Sequence, residues 1–135
     1  MHLLLLHCKE FSYKLDHPTP IADRNVFEKV SNYQNALVVF VAIEKGDKGE
    51  KVDRAILEII KLADTLKIEK IIINPFAHLS STLAPAEQAR EFSQLISDKL
   101  KEKTKLSIIY TSFGWYKSFV MDVFGHSNSQ TWREF

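Results

Sequence analysis

The sequence predicts an α/β domain in which a mixed β-sheet is layered with two main helices. Three observations indicate this fold class. Apolar runs at residues 3–8, 36–44 and 69–74 predict buried strands. Two longer segments carry apolar residues at spacings of three and four, which is typical of helices with one buried face. Because strands and helices alternate in the second half of the chain, we expect them to pack as separate layers.

The individual elements follow from local pattern. The predicted elements are, in chain order, strands at 3–8, 10–16 and 36–44, a helix with its apolar stripe at 52–66, a strand at 69–74, a helix from Pro85 to 100, and strands at 106–110 and 116–123. Residues 17–33 contain two prolines and predict a connection with one helical turn at 26–30. A glycine-rich turn is expected at 46–49. The crossover from strand 36–44 through the first helix to strand 69–74 should be right-handed.

Length and composition indicate one soluble domain. A chain of 135 residues is close to the commonest domain size. The lone Cys8 excludes an internal disulfide framework and fits a reducing cytoplasm. The run of leucines at 3–6 is too short to cross a bilayer, and no cleavage site follows it. We therefore expect a cytoplasmic protein without membrane contact.

The charge balance argues against a stand-alone RNA-binding protein. The chain has 18 Lys and Arg against 17 Asp and Glu, whereas phosphate contacts normally require a basic excess. The lysines at 99, 101, 103 and 105 favour a solvated helix end, with contact to an RNA backbone as the alternative.

Polar residues follow two predicted strands at the point where each strand ends. Asn74-Pro75 stops the first strand, because proline lacks the N–H that a sheet ladder needs. His78 comes directly after this stop, among the small residues of segment 76–81. Lys117 follows the strand at 106–110, among aromatic residues. Ligands of open α/β sheets collect beyond the carboxyl ends of strands, so these segments predict a polar site.

Each of these side chains also has a simpler interpretation. A lone histidine such as His78 is more often structural or merely exposed. Lys117 could be a surface lysine on an edge strand. In the functional interpretation, Trp115 and Tyr116 partly desolvate Lys117 and lower its pKa, so that the amine could take a proton from water or hold an oxyanion.

Other common catalytic arrangements are not predicted. The chain has no nucleophile elbow, glycine-rich phosphate loop or paired cysteines for zinc, and we expect neither a metal nor a cofactor. His7 and Cys8 are adjacent in a strand and point to opposite faces, which disfavours a nucleophilic pair. His7 could line the pocket from the end of the first strand.

The segments 75–81 (Pro-Phe-Ala-His-Leu-Ser-Ser) and 113–119 (Phe-Gly-Trp-Tyr-Lys-Ser-Phe) closely resemble the N-terminal editing domain of archaeal threonyl-tRNA synthetases. Segments 3–7 and 40–45 and the pair Gly125-His126 also resemble that family. The resemblance runs over nearly the whole chain. It implies a fold related to that of D-aminoacyl-tRNA deacylases.

This resemblance implies that residues 1–135 form a single editing domain, which is the N-terminal part of a larger synthetase. The expected reaction is hydrolysis of L-seryl-tRNA(Thr) by an activated water, with Lys117 and His78 as catalytic residues. The expected partners are the aminoacylated 3′ end of the tRNA, the rest of the synthetase and a second copy of the domain. The expected substrate-binding residues are Pro75, Phe76, Ala77, Tyr116, Ile43, Glu44, His7 and Gln130. Of these, Ala77 or the backbone near Ile43 and Glu44 would exclude the methyl group of threonine.

One residue departs from the family pattern. The family often carries a glutamate a few residues after the Gly-His pair, where this chain has Gln130. A glutamine can orient water but cannot accept a proton. If the reaction needs a carboxylate here, Glu134 would have to substitute.

Two alternative functions remain at this point. The domain could be a D-aminoacyl-tRNA deacylase, which selects its substrate by chirality. It could also be a non-catalytic domain that binds tRNA or stabilises a synthetase.

Overall fold

The computed structural model describes residues 1–26 and 29–135, which form a sheet layered with two long helices. The elements are β1 (His2–Pro18), β2 (Val30–Ala42), α1 (Gly49–Leu66), β3 (Lys70–Pro75), a turn of 3₁₀ helix (Ala77–Leu79), α2 (Ala86–Lys103), β4 (Ser107–Tyr110), β5 (Trp115–Val123) and β6 (Gln130–Glu134). Neither of the long helices in this part of the chain is apolar enough to span a bilayer.

The sheet is mixed, as the sequence predicts. Its strand order is β4-β3-β2-β1-β5, and β6 also pairs with β1. Strands β2, β3 and β4 run parallel, whereas β1 is antiparallel to β2, β5 and β6. The two helices make the connections between the parallel strands, so the carboxyl ends of β2, β3 and β4 meet at one edge.

Each face of the sheet carries its own apolar core. On one face, α1 buries Val52, Ile56 and Ile59 against the sheet, and α2 adds Ile96 and Leu100. The spacing of these residues is the helical repeat that predicts both helices. On the other face, the core is built mainly by strand residues and by aromatic rings from β5. This burial on both faces explains why β2 and β3 are almost continuously apolar.

The long strand β1 corrects the sequence prediction. Segments 3–8 and 10–16 were expected to be two strands, but they form one continuous strand. The polar Lys9 between them marks a β-bulge in the pairing of β1 with β5, not a turn. Strand β6 was not predicted, because its alternating pattern is short and largely exposed. The helical turn expected at 26–30 includes residues 27–28, which lie outside the described residues, and Val30 already belongs to β2.

A bend in the β1–β2 ribbon brings β5 over the second core. The ladder is interrupted opposite Lys9, at Asn35, which has a left-handed φ of 47°. Beyond this point, β5 follows β1, and the Phe119 ring lies 5.7 Å from the Phe40 ring of β2. Phe119 also approaches Phe76, with ring centroids 6.2 Å apart. The segments after β3 and after β4 therefore face each other in space.

Candidate active site

A pocket of about 390 Å³ lies at the carboxyl ends of β2 and β3. Its walls come from the end of β2, the 3₁₀ turn after β3, the first turns of α2 and the segment 113–119 that leads into β5. Thr19 and Ile21, from the loop after β1, complete the rim. The lining is mainly apolar with a few polar groups, which is typical of a small-molecule site.

The pocket brings together most of the residues that the two sequence motifs predict. The predicted residues that line it are Ile43, Pro75, Phe76, Ala77, His78, Tyr116 and Lys117. These side chains are distant in sequence but adjacent in space, because parallel strands end at the same edge of a sheet. Glu44, His7 and Gln130 were also predicted as substrate-binding residues and do not line this pocket.

Burial perturbs the titration of Lys117. Burial lowers the pKa of its ammonium group to about 8, and the negative charge of Asp23 opposes that shift. No hydrogen bond to any of the described residues contributes to the shift. Both the ammonium and the neutral amine are therefore populated near neutral pH. An amine of this kind can exchange protons with water or stabilise a developing negative charge.

Strand alternation directs Lys117 toward the protein. Along β5, Trp115, Lys117 and Phe119 are partly buried, whereas Tyr116 and Val120 are exposed. A bulge shifts the register between Leu15–Lys117 and His17–Tyr116 pairs, and bulges often re-aim side chains beside active sites. Tyr116, the other aromatic residue expected to cover Lys117, is 63 % exposed.

His78 lies in the 3₁₀ turn after β3 and is exposed at the mouth of the pocket. Its ring packs against the Phe76 ring in an edge-on arrangement, with centroids 5.1 Å apart. Phe76 in turn packs on Phe40 at 5.1 Å. The Phe76 ring therefore packs against one side of the imidazole, while His78 remains exposed.

Asn74 places an unpaired amide at the base of the pocket. It is 1 % exposed and accepts a hydrogen bond of 2.6 Å from the Thr111 hydroxyl. Its Nδ2 group has no partner among the described residues. Sequence reasoning treated Asn74 only as the stop of a strand, and no local pattern distinguishes the two roles.

The loop at 19–23, which sequence reasoning treated as a plain connection, forms one side of the site. Thr19 donates two hydrogen bonds to the Gly114 carbonyl oxygen, from its N–H at 2.9 Å and from its hydroxyl at 2.6 Å. Gly114 has a φ of +74° and lies directly against Ala22. In the sequence, the signal of this contact is the glycine at position 114, because a glycine before an aromatic strand suggests that another backbone segment approaches closely.

Glu44 holds the loop after the 3₁₀ turn rather than facing the pocket. Its carboxylate accepts hydrogen bonds from the Met1 ammonium at 2.7 Å, the Ser80 hydroxyl at 2.6 Å and the Thr82 hydroxyl at 3.0 Å. Burial alone would raise the pKa of Glu44, but these bonds outweigh burial and lower the pKa to about 2. The carboxylate therefore connects β2 to the segment that carries His78.

Acid should weaken the fold through Glu44. Because its folded pKa lies below the unfolded value, its stabilising contribution is complete above about pH 4.5 and is lost as the pH falls toward about 2. We expect Glu44→Gln to lower the free energy of unfolding at pH 7. Between about pH 4.5 and about pH 2, this free energy should change less with pH in the variant than in the wild type. Urea unfolding at several pH values measures this. The exposed Asp64→Asn is the control, and an equal effect of both variants would contradict the assignment.

His7 and His126 form a separate cluster. The His7 Nδ1 and His126 Nε2 atoms are 2.8 Å apart, and His7 Nε2 is 3.0 Å from the Asn35 side-chain oxygen. Gly125-His126 thus supports the bend of the ribbon rather than the pocket. Gln130 and Glu134 lie on β6, where they pair with Leu6 and His2 of β1 and are exposed.

Cys8 is unsuited to nucleophilic chemistry in this structure. It is fully buried, and burial, reinforced by the charge of Asp122, raises the pKa of its thiol to about 11. The thiolate is the reactive form of cysteine, so Cys8 acts as a small apolar core residue.

The family comparison decides the class of protein. The model of the archaea-specific editing domain of threonyl-tRNA synthetase matches residues 1–135. The chain belongs to this family. The resemblance carried by the two motifs is thereby confirmed, and the pocket that they line lies in a threonyl-tRNA synthetase editing domain.

Threonine–tRNA ligases from archaea are similar to this editing domain over nearly its full length. The protein of Staphylothermus marinus is 39 % identical over 135 residues, covering 96 % of this chain and 22 % of the relative. An editing subunit of the threonine–tRNA ligase of Saccharolobus solfataricus is 32 % identical over 130 residues, covering 96 % of this chain and 33 % of the relative. The chain therefore spans between about a fifth and a third of these relatives.

A solved structure confirms the fold class of the editing domain. The c-Myc DNA unwinding element binding protein matches with a TM-score of 0.75 at 13 % sequence identity, covering 100 % of this chain and 99 % of that one. At this identity the likeness concerns the fold alone. The predicted mixed sheet layered with two helices is the fold observed.

Proposed function

We propose that this editing domain hydrolyses the ester of L-seryl-tRNA(Thr). The observation that carries the proposal is Lys117, a lysine whose pKa burial lowers to about 8 and which shares a pocket with His78. A synthetase for threonine needs such a site. The missing methyl group of serine is worth only about 1–3 kcal/mol in a binding pocket, so the synthetic site alone discriminates by roughly 10–200-fold.

The proposed reaction is direct attack by water on the ester carbonyl carbon. The new C–O bond forms first and gives a tetrahedral oxyanion. Its collapse breaks the bond to the terminal ribose oxygen, and the proton released by the water ends on that ribose hydroxyl. Lys117 orients or deprotonates the water and steadies the oxyanion. His78 and the backbone of 75–77 hold the aminoacyl group, and Tyr116, beside Lys117 on β5, is assigned to the ribose. A hydroxyl of the same ribose assists the transfer.

The proposal assigns the rejection of threonine to the wall formed by Ile43 and Ala77. Ile43 is 3 % exposed and is held by a hydrogen bond of 3.0 Å from the Ala84 N–H to its carbonyl oxygen. Ile43 is thereby the fixed part of this wall, whereas Ala77 is exposed. The proposal places the methyl group of threonine against Ile43, because well-packed sites accommodate extra volume poorly. Neither Gln130 nor Glu134 lines the pocket, so proton transfer is assigned to neither of them.

The proposed partners follow from the charge and from the relatives. With a net charge of +1, the domain would bind the 3′ end of the tRNA, while the rest of a larger synthetase holds the tRNA body. The proposal also includes pairing with a second copy. Val120 and Met121, on opposite sides of β5, are exposed apolar residues that association could cover, and sedimentation equilibrium would measure that association.

Three esters distinguish this proposal from its alternatives. Purified domain is incubated with L-seryl-, L-threonyl- and D-tyrosyl-tRNA, and the loss of each ester is followed in single turnover. We expect rapid loss of serine and loss of threonine slower by roughly 10–200-fold. Preferential loss of D-tyrosine would identify a chirality-based deacylase. Decay of all three at the uncatalysed rate would contradict hydrolysis by this domain.

Chelation should not change the reaction, because the proposal assigns water activation to Lys117. We expect the same rate with L-seryl acceptor-stem RNA before and after dialysis against EDTA. Readdition of Mg²⁺ controls for effects on the RNA. A loss of activity that zinc restores and magnesium does not would contradict this part of the proposal.

A further inference from the structure

Asp23 ties the segment that carries Lys117 to the loop after β1. One carboxylate oxygen, Oδ2, accepts a hydrogen bond of 2.8 Å from the Phe113 N–H. The backbone N–H of Asp23 donates to the Phe113 carbonyl oxygen at 2.9 Å, and its own carbonyl oxygen accepts from the Trp115 Nε1–H at 2.9 Å. Three bonds thus hold the two residues on either side of Gly114.

Arg90 of α2 fixes the other side of Asp23. Its Nε donates to the Asp23 Oδ1 atom at 3.1 Å, and a terminal nitrogen donates to the Ile21 carbonyl oxygen. Its guanidinium also lies over the Phe113 ring, 5.3 Å from the centroid. Asp23 is therefore bonded simultaneously to α2 and to the segment that enters β5.

We propose that Asp23 is a positioning residue for Lys117, which it acts on both by holding the Phe113–Trp115 segment and through its negative charge. The inference rests on the proposed function only in taking Lys117 as the reacting group. Nothing in the sequence motifs pointed to Asp23, which lies in a segment interpreted as a connection.

The charge effect is supported by the surroundings of Lys117. The Asp23 charge raises the pKa of Lys117 against the larger, lowering effect of burial. Titratable groups on the elements beside the lysine include His78 on the 3₁₀ turn, Tyr116 on β5, and Asp16 and His17 on the paired β1. Among the described residues, Asp23 is the group whose charge shifts the lysine, and Arg90 partly neutralises it.

Three variants separate the effect of holding the Phe113–Trp115 segment from the effect of the Asp23 charge. Asp23→Asn removes the charge and the ion pair with Arg90 while preserving side-chain size. Arg90→Met keeps the carboxylate but removes its partner, so it should loosen the segment without lowering the pKa of Lys117. Glu87→Gln is the matched control, because Glu87 also pairs with Arg90, at 2.8 Å, but is 83 % exposed on the outer side of α2.

The decisive measurements are the titration of the Lys117 amine by NMR, with ¹⁵N-labelled lysine assigned through Lys117→Met, and amide exchange at 113–117. We expect a midpoint near 8 in the wild type and a lower midpoint in Asp23→Asn. Exchange at 113–117 should accelerate by about tenfold or more in Asp23→Asn and Arg90→Met. Glu87→Gln should match the wild type in both measurements. Unchanged titration and exchange in Asp23→Asn would overturn the inference. If Asp23→Asn does not fold, unchanged exchange at 113–117 in Arg90→Met would overturn it.

The reaction itself gives an independent readout. Above pH 9, Lys117 is largely neutral with or without Asp23, so a remaining difference in rate reports on position. There we expect single-turnover hydrolysis of L-seryl-tRNA by Asp23→Asn to be slower by about tenfold or more. An equal rate would overturn the positioning role in catalysis. If the wild type does not hydrolyse this ester, the proposed function fails, and titration and exchange still decide whether Asp23 positions the lysine.

Discussion

Lys117→Met is expected to slow the hydrolysis of L-seryl-tRNA by roughly 10²–10⁴-fold, the range by which a positioned acid–base group accelerates a reaction. Methionine fills a similar volume but can neither exchange a proton nor stabilise an oxyanion. The rate is measured in single turnover at several pH values, after subtraction of uncatalysed ester loss. The control is Lys14→Met, which removes a 62 % exposed lysine from the strand paired with β5.

The same variant should be more stable than the wild type. Since burial lowers the pKa of Lys117 from 10.5 to about 8, holding its ammonium in the fold costs stability. The cost is complete below pH 8 and disappears as the pH rises above 10.5. At pH 7, Lys117→Met should therefore raise the free energy of unfolding by up to roughly 3 kcal/mol. Urea unfolding of the wild type and of Lys117→Met at pH 7 and 10.5 measures the stability cost of the buried ammonium and its disappearance at high pH. A destabilised or fully active Lys117→Met would contradict the assignment.

Gly114→Ala is expected to destabilise the domain by roughly 2–4 kcal/mol, from backbone strain and overpacking together. Residue 114 has a φ of +74°, and an added Cβ would stand 2.7 Å from the Ala22 Cα and 2.9 Å from the Ala22 nitrogen. These are backbone atoms, which cannot rotate away. Relief of the clash must displace either the 19–23 loop or the segment leading to Lys117, so the rate should also fall by about 10–100-fold.

Gly46 offers a control for this prediction. It has a φ of +87°, and an added Cβ would meet nothing within 4 Å. Gly46→Ala therefore reports the conformational strain alone, about 1 kcal/mol, and should leave the rate unchanged. Thermal unfolding and single-turnover rates of both variants measure the difference. Equal losses of stability in the two variants would show that the contact with Ala22 does not destabilise the domain beyond the conformational strain.

The helices, the parallel strands and the site motifs were predictable because local pattern specifies them. Apolar residues at helical spacing can be buried only on one side of α1. His78 and Lys117 follow strands that end at one edge of the sheet, so their proximity follows from topology. The alternation of buried and exposed residues in β5 also directs Lys117 inward, although it directs Tyr116 outward.

The remaining features depend on long-range contacts that leave little local signal. Lys9 resembles a break between two strands, but pairing on both sides carries β1 through it. Glu44 follows an apolar strand that ends at the pocket, which suggests a pocket residue. Its carboxylate instead accepts hydrogen bonds from the Met1 ammonium and the Ser80 hydroxyl. Asp23 sits in a proline-rich connection, and only the folded chain shows its bonds to Phe113. Such roles are set by partners far away in sequence.

The most direct test of the proposed site maps a seryl group onto the pocket. A stable analogue, seryl adenosine with an amide in place of the ester, is titrated into ¹⁵N-labelled domain, and amide shifts are followed by NMR. We expect the largest shifts at Ile43, at 76–78 and at 114–117, and weaker binding of the matching threonyl analogue. Shifts centred instead on the His7–His126 cluster, or equal binding of both analogues, would contradict a serine-selective editing pocket at the ends of β2 and β3.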